Sequence, residues 1–433
     1  MPKPPSPTQF RRLARLGRGE ALLLLRAAPA LARSPAAADI IADVTLRNYA
    51  YSAQSEGSRA AYAHALYLAA GSPRAVRDAL LNQLLAQEAL TDNDLSQAIR
   101  FATTLAQAGD TEVARAIRAY AYRNFDQHQA PIAIDALISL DGLDGAAAAA
   151  RLIEGLHAGD DTHIIHYYEH ELAKAPLPDG VEDIWQALEQ LARAGEDAQL
   201  DAFLARRRRH LAWRAQRPDR AWSPPTRQDA LDRLREGTSV LLGNLSRSLT
   251  PADLDPLAHQ LPTTRSPKKR EQLLSVFSRR VFPGDPAVLL ALEPRTHGRA
   301  RHFVWAALER LSDPRIRERA ERRLRSTTRP GYYLRAFLQY DRPGDEDFLA
   351  ALTARTHAEH TLEEIALATT AHYREHPTLT CRAPLLTLYE KMTCSVCRLS
   401  VVRLLDENGG VPPAIATALP HDSYAETRAF AKF

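Results

Sequence analysis

Ser72-Pro73-Arg74-Ala75-Val76-Arg77, with Ala79 and Leu80 behind it, is a phrase that the chain repeats in altered form. Asp313-Pro314-Arg315-Ile316-Arg317, with Ala320 following, is its clearest second copy. Looser copies start at Asp110 (running to Val113 and Arg115), at Ser266-Pro267 (running to Arg270) and at Asp422-Ser423 (running to Thr427, Arg428 and Ala431). Each copy reads as a helix start. Ser or Asp before the first helical residue accepts a backbone N–H, and proline suits the first helical position. The arginine that follows can reach back across the turn to an acceptor. One amphipathic pair of helices cannot bury its apolar stripe alone, so repetition of such starts predicts pairs stacked on one another.

Five segments carry apolar residues at the three- and four-residue spacing of helices: Arg59 to Ala70, Arg74 to Ala86, Leu95 to Ala108, Glu112 to Arg123 and Trp185 to Ala194. Glycine is sparse, at 19 of 433 residues, and the 28 prolines fall mostly between apolar runs. No strand-rich region is apparent. The predicted fold is all-α: a right-handed α-solenoid of stacked antiparallel helix pairs in two arms. The repeated phrase resembles HEAT-like helical-repeat proteins, whose second helix commonly opens with an Asp-x-x-Val-Arg pattern. That resemblance implies a curved superhelix with a concave binding face.

Charge divides the chain further. Residues 1–33 carry 7 basic and 1 acidic side chains, 34–202 carry 11 and 25, 203–330 carry 28 and 13, and 331–433 carry 10 and 13. Together with the prolines between Arg217 and Pro225, this predicts four regions: a basic N-terminal helix or arm at 1–33, an acidic helical-repeat arm at 34–215, a Pro/Trp hinge or loop at 216–228, and a basic-then-neutral arm with a C-terminal cap at 229–433. Trp213 and Trp222 flank or enter the hinge. Indoles beside a linker more often cover the end of a core than stack on a base.

The basic block suggests an anionic partner. The candidate nucleic-acid-binding residues are Arg206, Arg207, Arg208 and Arg209, then Lys268, Lys269 and Arg270, with Arg279, Arg280, Arg315 and Arg317. On one wall they would meet the phosphates of a duplex and bind in a salt-sensitive way. Four consecutive arginines circle a helix, however, and pairing with the chain's own acids is the competing reading. Some HEAT-like proteins, among them alkylpurine DNA glycosylases, grip duplex DNA, but no residue pattern of their active sites occurs here. The primary expectation is a non-enzymatic scaffold that binds a protein or peptide on its concave face. Duplex-backbone binding through 203–330, in a DNA-repair setting, is the alternative.

Two motifs suggest metal chemistry. Cys394-Ser395-Val396-Cys397 has the gap that lets two thiolates reach one zinc, and Cys381, His372 and His376 lie upstream. Zinc modules usually present two matched pairs, and buried thiols also behave as small hydrophobes, so the chain is expected to carry no cofactor. His166-Tyr167-Tyr168-Glu169-His170 spells the His-x-x-Glu-His string of inverted zincins, with His163 on the same face. Five residues in a chain with 15 His read better as coincidence. The sequence carries no Gly-rich phosphate loop, nucleophile elbow or kinase signature.

No apolar run approaches the length of a membrane span. Ala21 to Leu25, bracketed by Glu20 and Arg26, is too short for a signal peptide, and the Arg11-Arg12 pair and Ala28-Pro29-Ala30 are discounted as export signals. With 3 Cys and no disulfide framework, a cytoplasmic protein is expected. Its Arg-for-Lys usage and Ala richness are those of a GC-rich bacterial genome.

Overall fold

The computed structural model describes residues 6–86, 90–126, 129–157, 165–177, 182–216, 226–236, 245–340 and 342–431, with backbone alone at 165–167 and 245. Among these residues every regular element is helical, and there is no strand. The five periodic segments form the helices Ala60–Ala69, Arg74–Leu85, Asp92–Gln107, Thr111–Arg123 and Ile184–Gly195.

The starts of the repeated phrase are real but not uniform. Asp110 caps its helix by accepting Val113 N–H at 3.1 Å, and Ser266 does the same for Lys269 N–H. Asp313 caps the helix Pro314–Ser326, whose first residue is the expected proline. Ser72 departs from this pattern. It sits at φ 55°, its N–H donates to Tyr67 O, and it ends the preceding helix; Pro73 is the residue outside Arg74–Leu85. Asp422 also lies further out than expected, because the last helix begins at Ala425. A second feature hidden from the sequence is the break inside Ala130–Leu156. Gly142 there takes φ 58° and ψ −124°, which splits an apparently continuous helix in two.

The chain divides into two compact units. The first comprises Met1–Asp219, Thr393–Val396 and Pro412–Phe433, and the second Arg220–Met392 and Cys397–Val411. The first boundary falls within the stretch expected as a hinge, whose residues 217–225, with Trp222, lie outside the described residues. Residues 1–33, expected as a basic N-terminal helix or arm, include the helices Pro7–Leu16 and Glu20–Ala27, with Phe10, Ala14, Leu22 and Leu25 buried in the core of the first unit. The expected C-terminal cap likewise belongs in part to the first unit, where Pro413–Ala418 packs on Glu20–Ala27.

Within each unit, helices pack next but one along the chain. In the first, Glu20–Ala27 lies against Ala60–Ala69, that helix against Asp92–Gln107, and that one against Ala130–Leu156. A parallel series joins Pro7–Leu16, Pro35–Leu46, Arg74–Leu85 and Thr111–Arg123. Between the two series Leu66, Leu80, Ala98, Phe101 and Ile117 are fully covered. Replacing such a leucine by alanine typically costs about 2–5 kcal/mol. In the second unit the series runs Pro267–Phe277, Gly298–Leu308, Gly331–Leu338, Glu359–Glu375. Trp305, Leu334 and Ile365 bury their side chains behind it, leaving the opposite side of these helices to line a groove.

No helix among the described residues is long and apolar enough to cross a membrane.

Candidate functional site: a charged groove in the second unit

Helical spacing builds the groove. His302 and Ala306 lie one turn apart on Gly298–Leu308, Tyr332 and Arg335 share a face of Gly331–Leu338, and Glu364, Leu367, Ala368, Ala371, His372 and Glu375 repeat at three and four residues along Glu359–Glu375. These faces enclose two adjoining hollows of about 410 and 550 Å³ that share Glu309, Arg310, Arg335 and Ala368. Arg279 joins the first hollow from the end of the neighbouring helix.

A Cβ on Gly331 would meet the Glu364 side chain, which packs against the start of Gly331–Leu338. His360 Nε2 lies 3.4 Å from the Glu364 carboxylate. Nearby, the His302 ring lies 5.5 Å from the Tyr332 ring, and His372 lies 4.9 Å from His376.

The groove shifts the protonation of two of its members. Burial pushes the Glu309 carboxyl above its usual range, against the opposing pull of Arg335 and Arg310. Desolvation holds the His302 imidazole below its usual value; Glu364 opposes that shift and Arg335 adds to it. Arg310 Nε donates to Ser278 O at 3.1 Å, and both residues line the first hollow. Arg279 and Arg335 make no side-chain hydrogen bond or ion pair among the described residues. Leu367 is 51% exposed in the same lining.

Of the residues expected to bind nucleic acid, Arg279 alone lines this groove. Arg206 is buried, with its guanidinium on Glu154 at 2.7 Å and on His157 O at 2.7 Å. Arg207 meets Glu169 at 3.0 Å and stacks 3.8 Å above Trp185. Arg208 and Arg209 face solvent, so the four arginines do circle their helix. Lys269 donates to Leu234 O, Arg270 to Thr264 O and Arg280 to Ser246 O, which spends them on backbone carbonyls. Arg315 binds Asp313 at 2.6 Å and Asp285 at 3.0 Å. Arg317, 2% exposed, holds Asp345 at 2.7 Å and stacks on Phe337. Lys268 is exposed.

Cys381, Cys394 and Cys397 are all buried, Cys381 in the turn Leu379–Cys381, where desolvation pushes its thiol up. Of the zincin-like string, His163 and the His166 side chain lie outside the described residues. Glu169 is taken up by Arg207, and His170 is exposed beside Glu171.

Sequence reading missed Glu309, Arg310, Arg335, His302 and Leu367. What signal there was lay in a second helical spacing, offset from the apolar stripe, at His302, Ala306 and Arg310 and again at Glu364, Leu367 and Ala371. No family model, curated protein or solved structure matches the chain.

Proposed function

We propose that the chain is a HEAT-like α-solenoid that acts as a scaffold, holding a protein or peptide partner along the groove of its second unit. The observation that carries this reading is how the arginines of the basic block are used. Arg206, Arg207, Arg315 and Arg317 all bind acidic side chains of the chain itself, so a large part of the positive charge serves the fold. The groove meanwhile combines exposed Leu367, small alanines and charges of both signs, the mixture that suits a polypeptide surface. Packing of helices next but one along each unit supports the repeat architecture.

Duplex-backbone binding is the second reading. Exposed Arg208, Arg209, Lys268 and Arg279, none with an ion pair among the described residues, favour it. Capture of partners on the purified chain, with and without nuclease, separates the two. A protein retained in stoichiometric amount after nuclease treatment supports the scaffold, and loss of all bound material with the nucleic acid overturns it.

A further inference from the structure

We infer that the groove receives an acidic segment of polypeptide, whose carboxylates are held by Arg279, Arg310 and Arg335 and whose apolar side chains rest on Leu367. This rests on the scaffold reading and names the class of its partner.

Charge complementarity carries the argument. Three guanidiniums converge on adjoining hollows, two of them without an ion pair or side-chain hydrogen bond among the described residues and the third held only through its Nε. Guanidinium is the group that recognises carboxylate through paired N–H donors. The acids that share the lining offset it incompletely. Glu309 is partly buried, where its charged form is disfavoured, and Glu364 is turned onto the start of Gly331–Leu338 and toward His360. Glu375 stands at the far end, beside His372 and His376. Arg279, Arg310 and Arg335 are therefore exposed cations beside the exposed Leu367.

A nucleic-acid backbone fits this lining less well. Phosphates follow one another without interruption, whereas here the cations alternate with Leu367, Ala368 and carboxylates. A polypeptide that interleaves acidic and apolar residues meets both kinds of surface. Its binding would still be salt-sensitive, through the three arginines.

The test measures fluorescence anisotropy of the full chain with a labelled peptide of Glu interleaved with Leu and Phe, the same peptide with Lys for Glu, and a DNA duplex of matched charge. The acidic peptide should bind, Arg310→Ala with Arg335→Ala should weaken it roughly tenfold or more, and Arg335→Lys should weaken it less. Arg74→Ala, outside the lining, should leave it unchanged, and thermal melts confirm that each variant is folded. The inference is overturned if the acidic peptide binds no more tightly than its Lys counterpart, if the double variant binds as well as the parent, or if the duplex displaces the peptide and is lost in the same variant. Binding of the Lys peptide that Leu367→Asp abolishes would defeat the acidic assignment and leave the scaffold standing. Absence of binding by either peptide, with the duplex bound, would defeat both.

Discussion

Arg77 Nε lies 2.5 Å from Asp110 Oδ2, so the arginine closing one copy of the repeated phrase is bound by the aspartate that opens another. The same aspartate accepts Val113 N–H, and one carboxylate thereby caps its own helix and ties it to the neighbour. The arrangement recurs. Arg151 reaches Asp197, cap of Ala198–Ala215, at 2.6 Å; Arg315 reaches Asp285, cap of Pro286–Leu292; Arg317 reaches Asp345 at the start of Asp345–Arg355. In the copies at Ser72 and Asp313 the ladder uses the arginine of the phrase, whereas Arg115, Arg270 and Arg428 of the looser copies donate to backbone carbonyls.

The rungs should not be equal. Arg77 and Asp110 are partly open to water, so Arg77→Ala should cost only about 1 kcal/mol. Arg317 and Asp345 are buried, and Arg317→Ala would strand a desolvated carboxylate at a cost of about 3–5 kcal/mol. Chemical denaturation of the two single variants checks this. Equal losses would show that burial does not set the strength of the rungs.

Acid should dissolve the ladder. The hydrogen bond from Arg77 holds Asp110 below the usual carboxylate range, and Asp197 is lowered first by the Leu200 N–H and then by Arg151. A folded value below the unfolded one, about 3.9, means that the stabilisation is complete above that pH and is lost as pH falls through the folded value. His64, His302 and His421 are also lowered, chiefly by desolvation, so their contribution fades as pH falls below about 6.5. Melting temperature against pH should therefore show a shallow decline in mild acid and a steeper one below about pH 4. Asp110→Asn should reduce the steep part alone.

The ladder also marks how far sequence reaches. Helix starts and periodic apolar faces are local, and Asp110, Ser266 and Asp313 announced them because a cap acts within three residues. Ser72 misled for the same reason: its turn chemistry serves the helix before it. Which arginines are taken up depends on residues tens of positions away, as in Arg206 with Glu154 or Arg315 with Asp285. The clustering of basic residues in sequence therefore did not show which of them pair within the chain. The groove was still less legible, because Arg310 follows the end of Gly298–Leu308 while Arg335 and Glu364 stand on two other helices, and the three meet only when those helices pack.

Glu309 should be a site where neutralisation stabilises. Its folded pKa lies above the ordinary one, so its favourable contribution exists below the unfolded value and is lost as pH rises through the folded value. Glu309→Gln should raise the melting temperature at neutral pH and leave it nearly unchanged at pH values below about 4. It should also tighten binding of the acidic peptide, since one carboxylate leaves the groove. A lower melting temperature at neutral pH would mean that the charge is satisfied by Arg335 and Arg310 after all.

Gly19 tests how the two ends of the chain are joined within the first unit. Its φ of −59° suits any residue, so conformation does not require glycine. Space does: a Cβ would collide with the backbone carbonyl of Ala418 and press on His421, atoms that cannot rotate aside. Next to it, Ser423 N–H donates to Gly17 O at 2.8 Å, and Arg59 bonds Arg15 O and Ser395 Oγ in the buried layer beneath. Gly19→Ala should cost about 2–3 kcal/mol through overpacking. Gly109→Ala, at φ 105° in open space, should cost only about 1 kcal/mol of backbone strain. Hydrogen exchange distinguishes the two further, because only Gly19→Ala should speed exchange across residues 412–431. If it leaves that segment protected, the close approach of Gly19 to Ala418 is not what holds the C-terminal helices in place.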